Sequence, residues 1–479
     1  MNKNKTKNVS QETQEAQKEP CLVLEKVCGL DVHKKSCTAA IIDQGKTPIV
    51  LEAVENSGPG IHHLYQRLVE EGCSTVVMES TGPYWIGLYD YLDLRGIKTV
   101  IVSPQSLKAF GGKKTDDHDA VWLAHLYRLN LLNPGYVPPR HIRELRSLTR
   151  RYEKIVQMMA SMKNSIQSQI DAFSTGITTI YTDPFGLAGT KILSTLAKEM
   201  ETKDKDKDKD KDKETHSIRA DSVLDRLREE GLPEEKIKQV EKMLRLSFDP
   251  TSNGWLIEQG LATLQALREQ RDQVMNRVAR HIRQHQDLSR SVGILLSICG
   301  IDLISAAVIV AEMGDPHRFG EGKGVSAYFG LVPSVDQSGP TTVLGRITRN
   351  GSPHMRRILC QVAHVVAGKG APYLRRWCAQ VKARRGGQKA MVALARRILV
   401  ISWAMLRDQA CFEDPDQDTA QKHNAAKLHR AKLRAMDKRA RRSTNTISMW
   451  KALHLLASSL AHSSMFGKAE NSQTGSRVP

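Results

Sequence analysis

Apolar positions near the start of the chain come in short bursts separated by polar or glycine-bearing turns, the spacing of strands and short helices. Leu22, Val23, Leu24 and Val27 run into Gly29-Leu30-Asp31-Val32-His33-Lys34-Lys35, and a second apolar run, Thr38 to Ile42, follows the basic turn. This predicts a β-hairpin whose first strand carries a carboxylate. Pro48 to Val54 predicts a third strand, Gly60 to Glu70 an amphipathic helix, and Ser74 to Met78 a strand. Tyr84 to Leu94 then predicts a helix, Lys98 to Val102 a last strand, and Asp116 to Leu132 a helix stopped by Asn133-Pro134. Strands alternating with helices make 21–140 an α/β domain.

The period changes at Leu145. Leu148, Tyr152, Ile155, Met159, Met162 and Ile166 alternate steps of three and four, the seam of a coiled coil. The same stripe also suits a long helix packed inside one subunit, and spacing does not separate the two. Ile257, Leu261, Leu264, Val274, Val278 and Ile282 mark a second long helix, able to return antiparallel against the first. Between them, 203–213 is a Lys-Asp alternation that neutralises itself and builds no core, so about 174–216 is expected as a disordered insertion within a coiled-coil region at 141–289. Residues 290–411 form a further, mostly helical domain. Ser297 to Gly314 suggests two helices about a tight turn at Gly300, and Gly330 to Val335 is strand-like. Residues 1–20 are expected as a disordered tail and 412–479 as a basic C-terminal extension, with a Lys/Arg-rich helix or arm at 422–442.

Charge narrows the partners. The 479 residues carry 71 Lys and Arg against 52 Asp and Glu, a formal net charge of +19, which predicts an anionic partner, nucleic acid first. The longest apolar run, Ile294 to Met313, is interrupted by Gly300, Asp302 and Glu312, which predicts core helices rather than a membrane span. The first twenty residues are polar, with no secretory pattern, and the eight cysteines show no CxxC pair or disulfide-like spacing. A cytoplasmic location is expected.

Acids recur at structurally telling places. Asp31 stands on the first strand, Glu79 in Met78-Glu79-Ser80-Thr81-Gly82 at the end of a buried strand, and Asp116 and Asp119 one turn apart on a helix. Asp117 points elsewhere, and Asp116 or Asp117 serves equally as a helix cap. A hairpin-first α/β pattern with acids at strand ends fits an RNase H-like, RuvC-like fold. Four carboxylates converging there suit Mg²⁺ or Mn²⁺, held together with phosphate and water for phosphodiester chemistry. Ser338, in Gln337-Ser338-Gly339, precedes a segment rich in Arg346, Arg349, Arg356 and Arg357. A serine can hold DNA covalently, and arginines stabilise the charge that develops on phosphate. A serine before glycine is also an ordinary turn residue, and Ser334 and Ser352 qualify on the same chemistry.

Several motifs together resemble the DEDD-type transposases of bacterial insertion sequences. They are Gly29-Leu30-Asp31-Val32-His33-Lys34, Met78-Glu79-Ser80-Thr81-Gly82, Lys114-Thr115-Asp116-Asp117-His118-Asp119-Ala120, Gly330-Leu331-Val332-Pro333 with Gln337-Ser338-Gly339, and Arg349-Asn350-Gly351 with Met355-Arg356-Arg357. The resemblance covers about 25–173 and 254–410. It implies a RuvC-like domain, a coiled coil and a serine-bearing transposase domain, and a recombinase that excises and inserts its element. It also implies a structured guide RNA, encoded by the element, that pairs with donor and target DNA. The family's four acids map onto Asp31, Glu79, Asp116 and Asp119, and its nucleophilic serine onto Ser338. Lys34, Lys114, Arg346, Arg349, Arg356 and Arg357 are the expected nucleic-acid contacts. A dimer or tetramer acting on double-stranded DNA in a bacterial nucleoid is the expected assembly, with no membrane. The Lys-Asp insertion and the long basic tail depart from the family pattern.

Two other classes compete. A junction-resolving nuclease would use the carboxylates and water alone, without a covalent intermediate. A non-enzymatic, basic nucleic-acid-binding protein would account for the charge but not for the acids, which repel DNA in the absence of metal.

Overall fold

The computed structural model describes residues 26–43, 48–80, 82–104, 107, 116–173, 176–201, 215–247, 254–338, 341–416 and 424–441. The tail at 1–20, Lys114, the Lys-Asp repeat and the end of the chain from 442 lie outside the described residues. The chain divides into two compact units, Met1–Val137 and Pro138–Pro479.

In the first unit, β1 (Lys26–Val32), β2 (Ser36–Asp43), β3 (Ile49–Glu55), β4 (Thr75–Glu79) and β5 (Lys98–Val102) form one sheet in the order β3-β2-β1-β4-β5. β1 pairs antiparallel with β2, and β2 with β3, while β4 runs parallel to both β1 and β5. β2 to β5 lie within a residue or two of their expected bounds; the apolar approach to β1 at 22–25 lies outside the described residues. The apolar positions of β1 and β4 continue on both faces because both faces are covered. Leu30, Met78, Leu64, Leu68, Leu88 and Leu92 pack on one side with α1 (Gly58–Glu70) and α2 (Trp85–Asp93). Val27, Val77, Val102, Leu123 and Leu126 pack on the other with α3 (Asp116–Arg128). The expected end of α3 near Leu132 comes earlier, where Asn130 turns the backbone left-handed at φ 56°.

The second unit is organised by α4 (Arg140–Phe173) and α8 (Gly254–Gln284). His281 Nε2 lies 2.8 Å from the His141 carbonyl, Arg151 Nη2 donates to Gln270 (3.4 Å), and Gly260 packs on Ile166. The two helices therefore run antiparallel within one chain. Ile155, Met159 and Ile166 are buried with Ile257, Leu264 and Leu267, so the stripe expected as a seam between subunits is covered by this chain's own second helix.

The region expected as a disordered insertion is in part a helical subdomain. α5 (Leu187–Glu201) buries Ile192, Leu193, Leu196 and Ala197 in the core shared by α4 and α8, and α6 (Thr215–Glu229) and α7 (Glu234–Ser247) add Leu224, Leu227, Ile237 and Val240. Apolar residues at helical spacing outweigh the neighbouring polar repeat.

The expected boundary at 289/290 separates no core. Ile142, Leu145, Val278 and Ile282 pack with Val292, Leu295, Ile309 and Leu359. The cluster is completed by α9 (Gln286–Leu295), α10 (Leu303–Met313), α11 (Gly322–Tyr328), α12 (Pro353–Lys369), α13 (Pro372–Arg385) and α14 (Gly387–Asp408). β6 (Pro333–Ser338) and β7 (Thr341–Ile347) form an antiparallel hairpin. The sequence pattern predicts no strand at β7. No described helix is long and apolar enough to cross a membrane.

The basic arm is a helix over 424–441, and it is docked rather than free. Met436 and Ala440 are buried, and Lys432 Nζ donates to the carbonyls of Leu296 (3.0 Å), Ile298 (3.2 Å) and Ile301 (2.7 Å) around the Gly300 turn. Burial pushes the Lys432 pKa down, with the charges of Cys299 and Asp302 opposing.

Candidate functional site

Asp31 and Glu79 owe their proximity to strand register. Leu30 pairs with Met78 across the parallel β1–β4 ladder, so Asp31 and Glu79 are the next positions along two adjacent strands, at their carboxyl ends. Leu30 and Met78 face α1 and α2. By strand alternation the two acids fall on the opposite face, the one that α3 covers. Gly29 lies on that face too, and a Cβ there would sit 2.0 Å from the Ala120 carbonyl oxygen and 2.9 Å from the Ala124 nitrogen. Glycine thus lets the α3 backbone rest directly on the sheet, two residues from Asp31. Asp119 is exposed and immediately precedes Ala120; Asp116 opens the helix one turn earlier, with its side chain outside the described residues.

Asp31 is partly buried, with 22% of its side chain exposed, and its Oδ2 lies 3.2 Å from His33 Nε2. Its charge also reaches Cys37 on β2: burial first, and then Asp31, push that thiol up to about 11. His33 was not singled out from the sequence. The available signal is its i+2 spacing from Asp31, which on an extended strand returns a side chain to the same face. The following Lys34 is exposed on the hairpin turn, which is tied down where Asn56 Nδ2 donates to the His33 carbonyl (3.0 Å).

The donor set fits a hard divalent cation. Carboxylate oxygens are what Mg²⁺ or Mn²⁺ takes, with water and phosphate completing the shell. Among the described residues no group of three or more His, Cys, Asp or Glu is arranged to hold a metal ion. The structure thus pairs Asp31 with Glu79 on adjacent strands but does not gather Asp119 with them into such a group, and the Asp116 side chain lies outside the described residues.

In the second unit, Ser338 ends β6 and pairs with Thr341 across the hairpin; its side chain is outside the described residues. The alternatives are better defined. The Ser352 hydroxyl accepts from the Met355 amide (3.3 Å) and caps α12, and Ser334 packs across the hairpin against Gly345. Two glycines let neighbouring motifs cross. A Cβ on Gly330 (φ 65°) would lie 2.3 Å from the Asn350 nitrogen, and one on Gly351 (φ 64°) 2.1 Å from the Tyr328 carbonyl.

The four expected arginines divide into two pairs. Arg346 and Arg349 are largely exposed. Arg356 Nη1 instead clamps the motif crossing, donating to the carbonyls of Phe329 (3.2 Å), Gly351 (3.2 Å) and Asn350. Burial, then the charge of Arg349, lower its pKa. Arg357 Nε lies 2.5 Å from Glu153 Oε1, and His354 Nδ1 lies 2.5 Å from Glu153 Oε2. Burial alone would raise the Glu153 pKa, but the bonds from His354 and Arg357 outweigh it and leave the carboxyl lowered. One helical step away, Arg150 forks onto Glu312 (2.9 and 3.1 Å) on α10. Arg356 and Arg357 are thus engaged inside the chain. Sequence gives no sign of the Arg357 contact, because Glu153 lies about two hundred residues away.

This is an α/β sheet unit with paired acids at adjacent strand ends, followed in sequence by a helical unit with a serine-tipped hairpin. Residues 28–174 match a family model described as Transposase, of the DEDD type of IS110, and residues 292–377 match that of the Transposase IS116/IS110/IS902 family. Over these two segments the chain is similar to transposases of the IS110 family. Relatives include a probable family 20 transposase of Pseudomonas aeruginosa, 29% identical over 34% of this chain and 48% of its own length. The transposase for insertion sequence element IS1111A of Coxiella burnetii is 34% identical over 24% of this chain and 33% of its own. The putative transposase y4qE of Sinorhizobium fredii is 23% identical over 70% of each. The chain spans about half or less of the length of the first two.

Proposed function

We propose that this chain is the DNA transposase of a bacterial insertion sequence, cutting and rejoining the ends of its element. The observation that carries this reading is the pairing of Asp31 and Glu79 at adjacent strand ends beneath the helix that bears Asp119. The strand order, with three antiparallel strands followed by two parallel ones, supports an RNase H-like, RuvC-like unit.

In this reading Asp31, Glu79, Asp116 and Asp119 hold Mg²⁺ or Mn²⁺. The bound ion would polarise the scissile phosphate and activate the attacking oxygen. Asp31 and Glu79 are fixed by the ladder, so little reorganisation is needed to present them. Ser338, at the tip of an exposed hairpin, is the nucleophile that holds the cut strand as a phosphoester for rejoining. Arg346 and Arg349 stand ready to balance phosphate charge, with Lys34 and Lys114 as further backbone contacts. Strand exchange requires serine and carboxylates to meet on the DNA, within one chain or between the subunits of a dimer or tetramer. Guidance by a structured, element-encoded RNA, and action at the bacterial nucleoid, belong to the same proposal and rest on the family resemblance.

The test is cleavage of labelled element-end DNA, with its RNA and Mg²⁺, by wild type and Glu79→Gln. The substitution keeps size and removes charge, and cleavage should fall by at least about a hundredfold, the scale of a lost electrostatic catalyst. Equal cleavage by the variant would remove the carboxylates from the chemistry.

A further inference from the structure

The helical hairpin made by α13 and α14 extends beyond the second matched segment, which ends at residue 377. From Ala371 to Arg407 it carries nine Lys and Arg and no Asp or Glu. Some of these cations have structural tasks. Arg376 Nη2 pairs with Asp416 (2.8 Å), Arg407 with Asp408 (2.7 Å), and Arg397 stacks on Trp377 (4.6 Å) and Tyr373 (5.0 Å). The tip is different. Lys382, Arg384, Arg385 and Lys389 flank Gly386-Gly387, are all exposed, and have no carboxylate partner among the described residues.

Four like charges within eight residues repel one another, and each such neighbour costs a few tenths of a kcal/mol on a helix. Packing does not require them, because the hairpin is anchored elsewhere by Leu374, Cys378, Leu394 and Ile398. We infer that this tip is a docking surface for the phosphate backbone of double-stranded DNA, separate from the residues that cut it. The chemistry selects a duplex over a single strand. Single-stranded sites interleave cations with exposed aromatic rings that stack bases, and 382–389 contains no aromatic residue. Cations spread over a turn, with glycines allowing close approach, suit regularly spaced phosphates and read no sequence.

The inference rests on the transposase reading for the identity of the nucleic acid. The experiment uses the full chain and a random-sequence DNA duplex, with affinity followed by fluorescence anisotropy over a series of salt concentrations. The variant Lys382→Gln/Arg384→Gln/Arg385→Gln/Lys389→Gln should bind more weakly. Its log-affinity should also depend less steeply on log-salt, by about 0.9 for each phosphate that it no longer neutralises. Arg384→Lys/Arg385→Lys keeps the charge and should keep the slope. A matched neutralisation on the helical subdomain, Lys191→Gln/Lys198→Gln/Lys238→Gln/Lys242→Gln, should change the slope less. Circular dichroism should show all variants equally folded. An unchanged slope in the tip variant, with duplex binding intact, overturns this inference and leaves the transposase reading standing. Loss confined to a single-stranded or folded RNA probe overturns it in favour of an RNA surface. Failure of the unsubstituted chain to bind duplex DNA overturns both.

Discussion

Gly29 lets the α3 backbone rest on the sheet two residues from Asp31, so a side chain there would push away the helix that bears Asp119. Asp31 and Glu79 were legible in the sequence because each terminates an apolar strand run, and the ladder then sets them side by side. The role of Gly29 was not, since only the fold brings Ala120 within 2.0 Å of its missing Cβ. Arg357, expected as a nucleic-acid contact, is instead held with His354 by Glu153, a partner distant in sequence. That triad has a pH consequence. Glu153 has a lowered pKa in the folded chain, so its stabilisation is complete above the ordinary glutamate value and is lost as pH falls through the lowered one. Glu153→Gln should lower the melting temperature at neutral pH. It should also lessen the drop in melting temperature on acidification, because the acid-sensitive carboxylate is gone. Parallel melting-temperature profiles for the two proteins across that range would show that the triad contributes nothing to pH dependence.

At the scale of elements, periodicity located α4 and α8 well but left their partners undecided. The stripe alone fits a neighbouring subunit or a second helix of the same chain. The approach of His281 to His141 and of Gly260 to Ile166 resolves it in favour of the same chain. Lysine at Ile155 and Met159 would put unpaired charges into a closed core, at a cost on the order of 5 kcal/mol in total. The expected outcome of Ile155→Lys/Met159→Lys is therefore loss of cooperative helical melting. A well-folded protein of unchanged melting temperature and smaller mass by light scattering would restore the stripe as an intersubunit seam. β7 leaves no mark in the sequence: Val335 and Val343, the valines of its hairpin, are each 59% exposed rather than turned to a core. α5 was hidden by the polar repeat that follows it, although Ile192, Leu193, Leu196 and Ala197 carry the helical spacing.

Across the whole molecule, the change of period at Leu145 is legible in the sequence, and the chain divides into two compact units at 137/138. The single core joining 141–289 to the segment beyond is not legible, because helix packing leaves no mark at the level of local pattern. The Lys-Asp repeat at 203–213 lies between α5 and α6 and offers no apolar side chain to either. Deleting it should leave strand cleavage within about twofold and the melting temperature unchanged, since loop length acts on stability only logarithmically. A fall in melting temperature of several degrees would assign the repeat a structural part.

The central claim is that carboxylates on the sheet and a serine on the hairpin carry out one strand exchange. Ser338 adds one hydroxyl to an interaction dominated by phosphate charge, so its loss should leave DNA and RNA binding nearly unchanged. Ser334→Ala removes a hydroxyl that packs across the hairpin, and Ser352→Ala a helix cap worth about 1 kcal/mol, which makes them matched controls. The most direct measurement is denaturing electrophoresis of the protein after incubation with labelled element-end DNA, its RNA and Mg²⁺. The account predicts a protease-sensitive protein–DNA adduct for wild type and both controls, and none for Ser338→Ala or Glu79→Gln. An adduct that persists in Ser338→Ala, or that disappears only in one of the control variants, would contradict it.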